Sequence, residues 1–232
     1  MAKSSVDRIE TVLIPAGQFM MGDEDGRPDE QPVHRVTLSD FRIALLPVTN
    51  HDYGEFLSAT DHESPRFWDA PKFNRQTQPV VGISWASAVE YCQWLSSVRG
   101  EQFRLPTEAE WEKAARGGLE HQRYPWGDEP WGDNGGRFSQ DAPWDVGRCQ
   151  PNGYSILDIG FNVHEWCYDW YDPKYYANSP EHDPQGPRTG ERRASRGGAW
   201  RHLMKVSRCA ARSSIPPDYR YNDYGFRVVL EV

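Results

Sequence analysis

The chain has 232 residues, and 34 acidic against 26 basic side chains give it a formal net charge of −8 at neutral pH. This acidic balance disfavours nucleic acids and anionic membranes as partners. The sequence contains no apolar run long enough to cross a bilayer, and its first residues lack the apolar stretch of a secretory signal. We therefore expect a cytoplasmic protein.

The four cysteines are too few for a disulfide scaffold of this size, and no Cys-x-x-Cys pair or Cys/His cluster has zinc-site spacing. Buried free thiols are expected. The basic residues clustered over residues 188–212 have two interpretations: they are buried and paired with the excess acids, or they form a local basic patch.

The first elements predicted along the chain are strands. Residues 12–22 read as a strand, a turn at residues 15–17 and a second strand, and residues 33–43 alternate as a third strand. The inward-facing positions predicted for this third strand are Val36, Leu38 and Phe41.

Three helices are predicted next, each from its N-cap. Thr49 and Ser84 are suitable N-caps for the first two helices. Thr107 and Glu110 have capping-box spacing, and the third helix is predicted over residues 108–116, where a Gly-Gly pair ends it.

Residues 118–196 show almost no helical or strand periodicity. Aromatic residues make up 13% of the chain, with ten Trp, and such irregular backbone must be held by large rings or by bound metal. Short strands are predicted around residues 196–200, 208–212 and 226–232. The pattern predicts an α+β fold with much irregular structure, and no low-complexity linker divides it, so we expect one domain over residues 1–232.

A series of short motifs carries a resemblance to a known protein family. The motifs lie at residues 14–22, 47–50, 79–85, 104–112, 124–127, 151–154, 162–166, 196–200, 208–212 and 225–229. The order of these motifs and the residues in them resemble those of the formylglycine-generating enzyme (sulfatase-modifying factor) family over about residues 9–231. The resemblance implies the large variant of the C-type lectin fold that this family adopts.

Members of this family oxidise a sulfatase cysteine to formylglycine with dioxygen and copper, which two cysteines near the C-terminal end hold. Between Gly198 and Arg208 this chain has no thiol: His202 occupies the first cysteine position, and Cys209 matches a structural position. Soft copper needs converging thiolates, so neither copper binding nor formylglycine generation is expected. The open alternative is a divergent oxidoreductase that uses dioxygen and a metal held by His202, with Met204 as a second donor.

The resemblance also implies structural calcium. The ligand residues implied for a first site are Asp158, Phe161, Val163 and Glu165. Two carboxylates and two backbone carbonyls are hard oxygen donors of the kind that calcium prefers. Phe161 and His164 depart from the family, which has glycine and tryptophan there, and turn capping by these acids is the open alternative. The ligands suggested for a second site are Asn134 and Asp141.

Some members of this family are the variable proteins of diversity-generating retroelements, which display diversified side chains between Gly-Gly-x-Trp and Gly-Phe-Arg anchors. This chain resembles them over residues 196–229, a segment that we call the C-terminal cassette. Its candidate ligand-binding residues are His202, Leu203, Met204, Lys205, Ser207, Ser213, Ser214, Ile215, Tyr219, Tyr221, Asn222, Asp223 and Tyr224. Tyr, Asn and Ser side chains on a stiff scaffold are suited to recognising a ligand. The alternative explanation for these residues is the ordinary divergence of a surface loop.

The sequence thus predicts a non-catalytic protein whose C-terminal cassette binds a protein or another macromolecule. A recognition domain within a larger signalling assembly is a further alternative. The hypothesis requires exposed side chains, so replacing Ile215, Tyr221 and Tyr224 by Ala is expected to change stability by under about 0.5 kcal/mol each.

Overall fold

The structure is a computed structural model, and it describes residues 9–120, 122–129 and 141–232. The strands in these ranges are β1 (Thr11–Ile14), β2 (Gly17–Met21), β3 (His34–Leu38), β4 (Phe41–Ala44), β5 (Phe103–Arg104), β6 (His164–Trp170), β7 (Arg193–Arg196), β8 (Arg212–Ile215), β9 (Tyr224–Gly225) and β10 (Val229–Glu231). The α-helices are α1 (Asn50–Ala59), α2 (Trp85–Arg99) and α3 (Glu108–Ala115). Within the described parts, no helix is long and apolar enough to cross a membrane.

The strands form three small sheets, ordered β1-β4-β10-β5, β2-β3 and β8-β7-β6-β9. All strand pairs are antiparallel except β6 with β9. The single strand predicted over residues 33–43 is in fact β3 and β4, which belong to different sheets. Strand structure is interrupted between them at Ser39. The backbone N–H and the hydroxyl of Ser39 both donate to the Asp183 carboxylate, at 2.8 and 2.9 Å.

The three predicted helices are confirmed together with their caps. Thr49 begins α1 through a capping box with Asp52, and Ser84 accepts a hydrogen bond from the N–H of Ser87 at the start of α2. Thr107 and Glu110 form the capping box of α3. This helix ends one residue earlier than predicted, before glycines 117 and 118, which adopt φ angles of +65° and +80°.

Two aromatic-rich clusters form most of the core, and a third holds part of the irregular segment. In the first cluster, Tyr53 of α1 stacks on Tyr91 of α2 with ring centroids 5.6 Å apart. Trp111 of α3 is fully buried in the second cluster. The third contains Trp144 and Phe161, so large rings support the stretch that lacks periodicity, as predicted. All four cysteines are buried free thiols, also as predicted.

Buried ion pairs attach the C-terminal cassette to the rest of the molecule. The pairs are Arg196 with Glu112, Arg208 with Glu30, Arg212 with Glu108 and Arg227 with Glu165. All eight side chains are buried, and each arginine follows its glutamate by 62 to 178 residues. For Arg196, Arg208 and Arg212, which belong to the basic stretch 188–212, the first interpretation, pairing with buried acids, is therefore correct.

Glu112 gives this ion-pair network a pH dependence. Burial alone would raise the pKa of Glu112, but Arg116 and Arg196 outweigh this effect and hold the pKa below its ordinary value. A carboxylate with a depressed pKa stabilises the fold above its unfolded-state pKa, and the contribution is lost as the pH falls through the folded-state pKa.

We therefore expect Glu112→Gln to have a lower free energy of unfolding than the wild type at pH 7. This gap, the difference between the two free energies of unfolding, should narrow below about pH 4.5. Each unit of pKa depression contributes about 1.4 kcal/mol to this narrowing. Urea unfolding of both proteins between pH 7 and pH 3 measures the gap. A gap that stays constant over this range would contradict the depressed pKa of Glu112.

Candidate functional site

The exposed face of the C-terminal cassette consists of two neighbouring loops, residues 201–206 and 218–222. Trp200 Nε1 donates to the carbonyl of Asn222 at 3.3 Å, which ties the base of one loop to the other. Three large apolar side chains stand out from this face: Leu203 is 70% exposed, Tyr219 48% and Tyr221 39%. The sequence had placed all three among the candidate ligand-binding residues.

Other candidates in the cassette are only partly accessible. Lys205 is exposed beside Leu203 in the first loop. The half-buried candidates are His202, Met204, Ser213, Ser214 and Asn222. Being half-buried, these residues offer a ligand less surface than the three exposed side chains do.

Four candidates are buried, and their predicted exposure is wrong. Ile215 and Tyr224 are 7% and 5% exposed and belong to the first core cluster, where the ring of Tyr224 lies 5.3 Å from that of Trp166. Ser207 and Asp223 are 3% and 0% exposed. Ile215 of β8 and Tyr224 of β9 are buried because both side chains pack into this core cluster.

A cavity of about 360 Å³ opens beside the first loop. Its lining includes His164, Gly197, His202, Val206, Ala211 and Ser213. Arg27, Arg201 and Lys205 also line it; Arg27 pairs with Asp29 and Glu30, and Arg201 pairs with Asp223. Such a cavity has the volume of a site for a small ligand group.

His164 and His202 line this cavity, and Asp223 lies next to His202. Nε2 of His164 and Nδ1 of His202 share a hydrogen bond of 2.9 Å, and Nε2 of His202 is 3.5 Å from Oδ2 of Asp223. Arg201 donates from Nε to the same Oδ2 at 2.8 Å. Burial, together with the neighbouring His202, lowers the pKa of His164 to about 3, so its imidazole is neutral at pH 7.

The sequence did not bring these three residues together. It marked His164 and His202 separately, as replacements of family residues, and it treated Asp223 as a displayed side chain. The parallel pairing of β6 with β9 puts His164 opposite Tyr224, the neighbour of Asp223, and this tertiary contact has no local sequence signal. The only available clue was that two histidines replace family residues in distant motifs.

The thiols of the chain do not provide a soft-metal site in this region. Cys209, the cysteine that follows the first loop, is fully buried, and burial raises its pKa to about 12. A thiol with this pKa is protonated at pH 7 and is a poor ligand, since the thiolate is the form that binds metals.

The residues implied for calcium do not form the predicted ligand set. Both carboxylate oxygens of Glu165 are occupied: Arg227 donates to them at 2.6 and 2.7 Å, and Trp111 Nε1 donates at 2.6 Å. Glu165 is therefore not available to calcium, and its assignment as a ligand is corrected to an ion-pair partner of Arg227. Without Glu165, the predicted calcium ligands retain only one of their two carboxylates, that of Asp158. The predicted ligand set therefore does not fit calcium.

The remaining calcium candidates have turn contacts. Asp158, at φ +55°, accepts hydrogen bonds on its carboxylate from the backbone N–H groups of Gly147 and Cys149. The carbonyl of Phe161 accepts from the N–H of Val163 at 2.7 Å. These contacts match the turn-capping interpretation. In the second suggested site Asp141 is exposed, and Asn134 lies outside the described residues.

Comparison with known proteins identifies the family. The model of the sulfatase-modifying factor enzyme 1-like domain matches residues 1–232. The chain belongs to this family. Formylglycine-generating enzymes of the sulfatase-modifying factor family from Streptomyces coelicolor and Thermomonospora curvata are 36% and 35% identical to it, over 93% and 95% of this chain and 87% and 93% of theirs.

The sulfatase-modifying factor domain also occurs within longer proteins. The serine/threonine-protein kinase pkn1 of Chlamydia pneumoniae is 37% identical over 96% of this chain. The match covers 38% of that kinase, so this chain spans well under half the length of the kinases that it matches.

Two solved structures of related domains share the fold. PvdO from Pseudomonas aeruginosa superposes with a TM-score of 0.83 at 28% identity, over 96% of this chain and 94% of that one. Treponema denticola variable protein 1 gives 0.80 at 25% identity, over 96% and 95%. The predicted α+β fold, the formylglycine-generating-enzyme type of the C-type lectin fold, and the resemblance to variable proteins are thereby confirmed.

Proposed function

We propose that this chain is a non-catalytic binding protein, and that its ligand is a protein or another macromolecule. The face formed by loops 201–206 and 218–222 carries the proposal, because Leu203, Tyr219 and Tyr221 are each exposed on these two linked loops. Large apolar side chains grouped on a surface are typical of interaction sites. The lack of a thiol between Gly198 and Arg208 further favours binding over formylglycine generation.

The backbone beneath this face is held by specific contacts. Gly82 donates its N–H to the carbonyl of Tyr221 at 3.0 Å, and Arg220 pairs with Glu63 at 2.9 Å. The rings of Tyr219 and Tyr221 lie edge to face, 5.6 Å apart. Ordered loops with tyrosine side chains lose little conformational entropy when they bind, which favours useful affinity.

A second candidate function is that of a recognition domain in a larger signalling protein. The observation that favours it is the match to Chlamydia kinases in which the similar segment occupies only 38% of the length. Both candidates use the same face of the domain. They differ in whether the binding surface acts alone or brings a partner to a linked enzyme.

A selection from a random peptide library tests the face. We expect peptides enriched on the wild type to bind a variant with Leu203, Tyr219 and Tyr221 all changed to Ser at least about thirtyfold more weakly, because one hot-spot residue contributes about 2 kcal/mol or more. Biolayer interferometry of the enriched peptides measures both affinities.

The matched control changes three apolar side chains outside the cassette, Leu13, Val98 and Leu119, to Ser. They are 43%, 56% and 60% exposed, so this variant loses a similar apolar surface. It should bind the enriched peptides as the wild type does. Peptides that bind the cassette variant and the wild type equally, or a library that yields no wild-type binders, would contradict the proposal.

A further inference from the structure

A cluster of three side chains, two of which line the cavity, has the composition of a metal site. Among the described residues, His164, His202 and Asp223 form the group of three in which ligand atoms of metal-binding type lie within 4.8 Å of one another. Two imidazole nitrogens with one carboxylate oxygen are a donor set that first-row transition metals favour over calcium and magnesium.

The donor atoms of the three residues lie somewhat farther apart than coordinated ligands do. Two donors that are each about 2.1 Å from a metal ion lie about 3.0 to 3.4 Å apart at angles of about 90° to 109°. With one donor atom taken from each residue, the three atoms lie within 4.8 Å of one another. Nδ1 of His202 is 2.9 Å from Nε2 of His164, whereas Nε2 of His202 is 3.5 Å from Oδ2 of Asp223. His202 must therefore rotate to direct a single nitrogen at the ion, which its 33% exposed side chain permits.

Two buried polar atoms at this cluster lack partners within the described residues. Oδ1 of Asp223 accepts no hydrogen bond, although the side chain is only 1% exposed. Nδ1 of His164 has no partner of normal hydrogen-bond geometry and faces the backbone of Arg196 and Gly197. A buried carboxylate oxygen without a partner destabilises the fold, and a bound cation would remove this cost.

The orientation of the His164 ring is that of a metal-binding histidine. Metal-binding histidine ligates through one neutral ring nitrogen while the other faces a backbone or carboxylate acceptor. His164 has this arrangement, with Nε2 toward His202 and Nδ1 toward the backbone. Arg201, which donates to Oδ2 of Asp223, holds the carboxylate in place from outside.

We propose that His164, His202 and Asp223 bind one divalent transition-metal ion of the Zn²⁺ or Co²⁺ class. Three protein ligands leave at least one coordination position unfilled, as in zinc sites that accept an exogenous ligand. His164 and His202 both line the cavity, so this position is accessible from it. The ammonium group of Lys205, which also lines the cavity, would favour an anionic group of a bound ligand there.

The test uses protein without a polyhistidine tag, stripped with EDTA and titrated with Co²⁺. We expect one equivalent to bind, with visible d–d absorption bands that Zn²⁺ abolishes by displacement. His202→Ala should weaken binding by more than the about 10- to 100-fold that an outer-shell partner contributes. Because His202 is partly exposed, this variant is expected to fold.

Two further variants decide between this site and adventitious binding. Asp223→Asn keeps the shape of the side chain and should also weaken Co²⁺ binding, whereas His51→Ala, at an exposed position in α1, should leave it unchanged. Wild-type affinity in His202→Ala, or the absence of saturable one-to-one binding to the wild type, would overturn the proposal. The variant with Leu203, Tyr219 and Tyr221 changed to Ser should bind Co²⁺ with wild-type affinity. The metal-site proposal can therefore hold or fail independently of the binding-face proposal.

Discussion

Replacing Arg227 by Met is expected to lower the free energy of unfolding by about 3–5 kcal/mol, because it leaves a buried carboxylate without its charge partner. Arg227 and Glu165 are both fully buried and form two charge-assisted hydrogen bonds. The same guanidinium donates to the carbonyls of Ala44 and Leu157 at 3.0 and 3.2 Å. Denaturant unfolding monitored by tryptophan fluorescence measures the loss.

Two comparisons separate this effect from a simple loss of charge. Arg75→Met removes an exposed pair with Asp145, whose side chains are 52% and 42% exposed, and should cost under about 1 kcal/mol. Changing Glu165 to Gln in the Arg227→Met background removes the unpaired charge and should recover part of the stability. Equal losses for Arg227→Met and Arg75→Met would contradict the role of the buried pair.

Ile215→Ala and Tyr224→Ala are each expected to destabilise the protein by about 2–5 kcal/mol, the cost of a cavity in a packed core. Both side chains lie in the first core cluster, and the ring of Tyr224 also contacts that of His164 with centroids 4.7 Å apart. Tyr221→Ala, at the exposed neighbour, should stay within about 0.5 kcal/mol of the wild type. Thermal and urea unfolding of the three variants measure these differences.

This series replaces the sequence-based expectation that all three changes are mild. If Tyr224→Ala were as stable as Tyr221→Ala, Tyr224 would be accessible in solution and would return to the set of displayed side chains. If Tyr221→Ala were strongly destabilising, Tyr221 would be core and the binding face would lose one of its three apolar members.

Local signals explain why much of the fold was predictable. The N-caps at Thr49, Ser84 and Thr107 are satisfied within three residues of chain, so their spacing is readable without tertiary information. Strand β6 (His164–Trp170) was missed because its charged residues break the apolar alternation. Its Glu165 is paired with Arg227 and its Asp169 accepts from the N–H of Glu108, and neither contact is local.

The candidate site was predictable as a segment but not residue by residue. Leu203 and Tyr221 were correctly expected on the surface. Ile215 and Tyr224 are side chains of the same chemical types, one aliphatic and one tyrosine, yet they lie in the core. Which face of a short strand is covered depends on the elements packed against its sheet, and β9, with two residues, is too short to show a period. The domain extent over residues 1–232 and the cytoplasmic location stay predictions.

The position of β10 has a consequence for synthesis on the ribosome. This strand lies between β4 and β5, so residues 41–44 and 103–104 cannot join one sheet until residues 229–231 have been made. A nascent chain that stops before Arg227 also leaves Glu165 without its counter-charge. Folding of the whole sheet must therefore follow translation of its last strand, and until then the unpaired edges of β4 and β5 are open to aggregation or to a chaperone.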